Sequence, residues 1–100
     1  MARAKLEFTD AARSDLIQLR RYSLHQFGRE AADRYVDHIE SAFALLAEMP
    51  LAGRAEPGAG ANVRCYSKKR HRVFYKVEGE TVTILRVLHH ARDIGQVLEK

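Results

Sequence analysis

Thr83-Ile84-Leu85-Arg86-Val87-Leu88 is the stretch whose reading decides the fold: it is the most strand-like apolar run in the chain, and a guanidinium interrupts it. Val82, Ile84 and Leu88 share one parity and Leu85 and Val87 the other, so the segment reads as a central strand covered on both faces. Arg86 breaks the first parity. An arginine there has two fates, pairing with a buried acid or pointing into an accessible cleft, because an unpaired buried charge costs several kcal/mol.

Outward from this strand, Glu78-Gly79-Glu80 has the composition of a hairpin turn. It joins the strand over 81–88 to one over 72–77, where Val73, Tyr75 and Val77 face one way and Arg72, Phe74 and Lys76 the other. A further strand starts at Val63, with Cys65 alternating against Arg64 and Tyr66, and a basic turn Ser67-Lys68-Lys69-Arg70 follows. The three-strand region covers 62–88. Gly53, Pro57, Gly58 and Gly60 mark 51–62 as loop.

The first half alternates differently. Ala4, Leu6 and Phe8 predict a short strand over 4–8, and Thr9 then offers a side-chain acceptor to the free amides of a helix over 10–26. That helix carries Ala12, Leu16, Leu19 and Tyr22 at helical spacing, with Phe27 further on, and these are expected in the core. Gly28 supplies the break. A second helix over 29–48 bears the stripe Ala32, Tyr35, Val36, Ile39, Phe43 and Leu46, and Pro50 closes it. A short tail helix is expected over 92–98. The fold class is therefore α+β: an N-terminal strand and a helical hairpin packed on a small, twisted antiparallel sheet, in one domain spanning 1–100.

At 100 residues, with 46% hydrophobic content, the chain supports a single core. Its net charge of +4 is unevenly spread: acids outnumber bases from Glu7 to Glu48, and bases outnumber acids from Arg54 to Arg92. The second half thus predicts an acidic partner, nucleic acid or protein. Cys65 is the one cysteine, so an intrachain disulfide is excluded, and it reads as a small buried hydrophobe. No apolar run is long enough to span a bilayer, and a cytoplasmic location is expected.

Two groups of residues could carry chemistry. Arg64, Lys68, Lys69, Arg70, Arg72 and Lys76 follow one another without an intervening acid. Arg64 and Arg72 flank Tyr66 and Phe74, an interleaving suited to phosphate contact and base stacking, or equally to an acidic protein segment. The second group is Arg86, His89, His90 and Arg92. Metal-free RNA cleavage needs a base, an acid and a cation at the phosphate, roles that His89, His71 and Arg86 fill in type. Adjacent histidines in a strand do not converge on one ion and no third ligand is suitably spaced, so neither a metal nor a cofactor is expected.

One resemblance covers nearly the whole chain. The ordered run Ala12, Asp15-Leu16, Leu19, Tyr22, Phe27-Gly28, Ala32, Tyr35, Phe43, Leu46, Pro50, Gly53-Arg54, Val63-Arg64, His71-Arg72-Val73-Phe74-Tyr75 and Ile84-Leu85-Arg86-Val87-Leu88-His89 resembles the RelE/ParE superfamily of bacterial toxins, in its ParE branch. The resemblance implies a helical hairpin against a small twisted sheet and an antitoxin whose tail wraps the toxin. It also implies an action on DNA gyrase that traps cleaved DNA. RelE-like relatives instead cut messenger RNA on the ribosome, using two strand arginines matched here by Arg64 and Arg86. Those relatives also use a tyrosine or histidine near the C-terminus and a lysine or glutamate near the second helix or the loop after it. Here His90-Ala91-Arg92-Asp93-Ile94 has no tyrosine, and the loop offers Arg54 and Glu56 but no lysine, which weakens the ribonuclease reading.

The resulting expectation is a gyrase-poisoning toxin neutralised by an acidic antitoxin. The expected partner surface is Arg64, Tyr66, Lys69, Arg70, Arg72, Arg86, His89 and Arg92. The alternatives are a ribosome-dependent endoribonuclease using Arg64, His71, Arg86 and His89, and a non-toxic nucleic-acid-binding module.

Overall fold

The computed structural model describes residues 3–68 and 70–89; Lys69, Arg92 and the tail helix expected over 92–98 lie outside the described residues. Strand β1 (Lys5–Phe8) leads into helix α1 (Asp10–Phe27), and Gly28, at φ 88°, turns the chain into helix α2 (Arg29–Glu48). Then come β2 (Arg54–Ala55), a single 3-10 turn (Pro57–Ala59), β3 (Val63–Lys68), β4 (His71–Glu78) and β5 (Thr81–His89). The five strands form one sheet in the order β1-β5-β4-β3-β2.

The α+β class stands, with two refinements. β1 pairs parallel to β5, so the sheet is mixed rather than wholly antiparallel. The chain returns to β5 only after both helices and the β3–β4 hairpin, and a long connection of this kind is what parallel pairing requires. The two-residue β2 pairs with Cys65 and Arg64 of β3 inside a stretch read as loop. The expected basic turn is also shorter, because Ser67 and Lys68 still belong to β3.

Most of the core lies between the helices and one face of the sheet. Ala12, Ile39, Phe43 and Leu46 meet Val73, Tyr75, Val82, Ile84 and Val87 there, and Phe8 packs edge-on against Phe43 with ring centroids 5.1 Å apart. A second cluster on the other face joins Val63, Cys65, Phe74 and Leu88, flanked by Ala59 and Leu85. Both faces of β5 are therefore covered, but not with the parity that strict alternation gives. Phe74 pairs with Arg86 and Tyr75 with Ile84, which leaves Leu85 as an extra residue in β5. This β-bulge shifts the phase, so that Val87 joins the helix-side core and Leu88 the other.

Alpha-helix α1 departs from expectation at its C-terminal half. Tyr22 and Phe27 are 63% and 66% exposed, not core. Its N-terminus is fixed firmly: Thr9 Oγ1 accepts from the Ala12 N–H at 3.0 Å and donates to the Leu85 carbonyl at 2.8 Å. The Thr9 N–H donates to the Ile84 carbonyl. The helix start is thus stitched to the strand where the strand bulges.

Candidate functional site

Arg86 takes the first of its two fates. Its Nε lies 2.7 Å from Asp15 Oδ2 and its second guanidinium nitrogen 2.8 Å from Oδ1, a two-pronged pair. The Val87 N–H donates to the same Oδ2 at 3.0 Å. Asp15 is buried one turn into α1, and the Arg86 side chain is only 20% exposed. The hydrogen bond to Asp15 raises the Arg86 pKa above its ordinary value and outweighs burial, which acts the other way. The stability this contributes is complete at any pH below that ordinary value and is lost only as pH rises through the raised one, far above neutrality. Arg86 is thus tied into the fold.

Arg64 is tied in by other means. Its Nε donates to the Gly53 carbonyl at 2.8 Å and its outer nitrogen to the Leu51 carbonyl at 3.3 Å. The Tyr75 hydroxyl completes the latch, accepting from the Gly53 N–H and donating to the Pro50 carbonyl, both at 2.8 Å. Gly53 has no alternative here: an added Cβ would stand 2.6 Å from the Tyr75 hydroxyl oxygen and 2.7 Å from the Cys65 carbonyl oxygen. Burial pushes the Tyr75 hydroxyl up, and burial followed by nearby Glu56 pushes the Cys65 thiol up, so Cys65 is no poised nucleophile.

The interleaved arginine and aromatic array does not form. Phe74 is fully buried, and Tyr66 packs at the edge of the helix-side core opposite Val73. Arg72 pairs across the sheet with Leu88, which belongs to the other face. Alternation along β3 and β4 thus separates Tyr66 from Arg72 instead of stacking them. Lys69 and Arg92, the remaining members of the expected surface, lie outside the described residues.

Three of the expected residues do converge. Arg70, His71 and His89 line a groove of about 670 Å³ along one flank of α1. The Tyr35 hydroxyl contacts the His71 ring, 2.7 Å from Nε2, and the His71 and His89 rings stand perpendicular with centroids 5.3 Å apart. Across the groove stand Leu19, Tyr22 and Phe27. Asp15 also borders it, with Arg86 held behind. Among the described residues, no three His, Cys, Asp or Glu side chains are placed to share a metal ion, and no helix is long and apolar enough to cross a membrane.

The opposite flank of α1 has a different character. Arg13, Ile17, Arg20 and Leu24 recur at the spacing of one helical face, all exposed, with Ile17 58% accessible. Arg20 reaches Asp33 of α2 at 3.1 Å. Sequence reasoning passed over Ile17 and Leu24 because they fall off the main apolar stripe, and it gave Asp15 no role of its own. The available signal was an acid one turn before Leu19 and two before Tyr22, on an otherwise apolar side of the helix.

The model of the family described as ParE toxin of type II toxin-antitoxin system, parDE, matches residues 6–94. Toxin ParE1 of Caulobacter vibrioides is 34% identical over 80% of this chain and 82% of its own. Among solved structures, the chromosomal ParDE toxin-antitoxin system from P. aeruginosa shares the fold at a TM-score of 0.75 and 23% identity, covering 86% of this chain and 95% of that one. The toxin-antitoxin complex RelBE2 from Mycobacterium tuberculosis is similar at a TM-score of 0.67 and 29% identity, covering 92% and 97%. With the two-helix, five-strand architecture and the family match along nearly its whole length, this chain belongs to the ParE toxins of type II toxin-antitoxin systems.

Proposed function

We propose that this toxin stops growth by poisoning DNA gyrase, and that an acidic antitoxin neutralises it. One observation carries the choice of target: both strand guanidiniums that a ribonuclease would need at the phosphate are engaged within the fold, Arg86 by Asp15 and Arg64 by the carbonyls of Gly53 and Leu51. Freeing Arg86 for an RNA phosphate would take the counter-charge from the buried Asp15 carboxylate, at a cost of about 3–5 kcal/mol. A gyrase poison needs no such cradle. Binding that holds gyrase in its cleaved-DNA state is enough, and a rigid surface serves that purpose.

The antitoxin reading rests on the outer flank of α1 together with the relatives' own assemblies. Ile17 and Leu24 flanked by Arg13 and Arg20 suit an amphipathic segment that alternates aliphatic and acidic side chains. Full burial of each aliphatic side chain would contribute about 1.5–3 kcal/mol, and charge would set approach and register.

The test pairs two assays on the purified chain. With gyrase and supercoiled plasmid, linear DNA covalently linked to gyrase should accumulate. With programmed ribosomes, messenger RNA should remain intact. Codon-phased RNA cuts beside unaffected gyrase would overturn the proposal. Salt-steep binding to bare nucleic acid, without growth arrest on expression, would return the chain to the class of non-toxic binding modules.

A further inference from the structure

Among the described residues, the large hydrophobic side chains left in solvent are of two kinds. Ile17, Leu24, Met49 and Leu51 are open-chain, whereas Tyr22 and Phe27 are aromatic, and both aromatic ones line the groove on the inner flank of α1. A flat ring in water beside a concave surface offers a π-face on which a base can stack. The two rings stand five residues apart on one helix, roughly 7.5 Å along its axis. That is about twice the 3.4 Å rise per base along a strand of duplex DNA, so the rings suit successive bases drawn apart and unpaired.

The charges of the groove favour an anion. Arg70, in the turn before β4, is exposed on the groove's rim, and none of the ion pairs among the described residues involves it. Asp15, the acid that borders the groove, already has its charge matched by Arg86. Gln18 and Ser23 add an amide and a hydroxyl suited to base edges. We propose that this groove binds single-stranded nucleic acid, with successive bases stacked on Tyr22 and Phe27 and a backbone phosphate on Arg70.

The size of the groove agrees. Its volume of about 670 Å³ falls within the roughly 300–1,000 Å³ of small-ligand sites, whereas an α-helix, about 10–12 Å across with its side chains, would fit for only about one turn. An extended strand of nucleotides is therefore a better match than a helical protein segment. Binding here involves no bond cleavage: Arg86 stays with Asp15, and the site holds base and phosphate only. Nor does it depend on gyrase as the target, since the strand is bound by this chain alone.

Fluorescence anisotropy of a labelled oligodeoxythymidine strand, titrated with the full chain at several salt concentrations and without gyrase, tests this directly. Tyr22→Ala and Phe27→Ala alter exposed positions, and each should weaken binding about tenfold while leaving the denaturant midpoint where it was. Arg70→Gln should lower the slope of log affinity against log salt by about 0.7, the share of one phosphate, whereas Lys5→Gln on β1 should leave the slope unchanged. A fully paired duplex, whose bases are not offered to the rings, should bind at least tenfold more weakly than the strand. Equal affinity for strand and duplex, or strand binding indifferent to the loss of both rings, would overturn the proposal. Adenosine monophosphate binding as tightly as the strand would overturn it in favour of a free nucleotide. Ring-dependent capture of the acidic antitoxin by a chain that ignores the strand would overturn it in favour of a partner protein.

Discussion

Helices α1 and α2 lie side by side on the same sheet but use their sequences in opposite ways. Helix α2 buries Ala32, Ile39, Ala42, Phe43, Leu46 and Ala47, a stripe along its whole length, whereas α1 buries only Ala12, Asp15 and Ser23 and leaves Ile17, Tyr22, Leu24 and Phe27 in solvent. Where an amphipathic helix hides its apolar face, those residues hold the fold together; where it leaves such residues out, they are available for another molecule or segment. By this contrast α2 is the structural helix and α1 the working one. The structural part of α1 is the attachment of its first turns to β5 through Thr9 and Asp15, together with Leu16 and Leu19 against the core and the buried Ser23.

The sharpest way to break that division is to cut the attachment. Asp15→Ala removes the carboxylate that the Arg86 guanidinium and the Val87 N–H share, and should lower unfolding free energy by about 3–5 kcal/mol, read from denaturant midpoints. Restoring an apolar pair with Asp15→Leu, Arg86→Met should recover most of that loss, and no recovery would show that the two groups act separately.

Next comes the structural helix itself. Leu46→Ala opens a cavity at a fully buried site and should cost about 2–5 kcal/mol by the same measurement. A smaller effect is expected at alkaline pH. The Cys65 thiol and the Tyr75 hydroxyl both have folded pKa values raised by burial, so the stability they contribute is full below their ordinary values of 9.0 and 10.0 and falls as pH climbs through the raised ones. The slope cannot exceed about 1.4 kcal/mol per pH unit for each group. Thermal melts at pH 8 and pH 11 would show it, and a flat profile would mean that neither group is buried in solution.

The smallest change should come from the working helix. Leu24→Glu should move stability by no more than about 0.5 kcal/mol while weakening capture of the acidic antitoxin at least tenfold in a binding titration. A destabilisation as large as that of Leu46→Ala would erase the distinction between the two helices.

How much of this was legible beforehand varies with the physics involved. The stripe on α2 and the alternation along β4 report a face directly, and both are found where the residues place them. Tyr22 and Phe27 misled, because helical spacing shows which residues share a side but not whether a neighbour exists to cover it. Position 85 was hidden for a related reason: counting by twos assumes an unbroken ladder, and one inserted residue reverses every assignment beyond it. β2 was too short, inside a Gly- and Pro-rich stretch, to have any periodicity. At the site, the dilemma posed by Arg86 was visible in the sequence, whereas Asp15, which resolves it from 71 positions away, could only be found in three dimensions. His71, His89 and Arg70 meet because β4 and β5 end together, yet Arg64 and Arg86, equal in sequence terms, anchor different parts of the scaffold.

The extra residue at Leu85 has a consequence for chain length. Excising it would leave every cross-strand partner of β4 and β5 in place, since Phe74 would still meet Arg86 and Tyr75 would still meet Ile84. The straightened strand would nevertheless lose the carbonyl that Thr9 grips and the kink that brings the amide of residue 87 to its carboxylate. A one-codon deletion would therefore spare the weave of the sheet and unhook the first helix from it. Fast hydrogen exchange confined to the Val87 amide and the opening turn of α1 would be its signature.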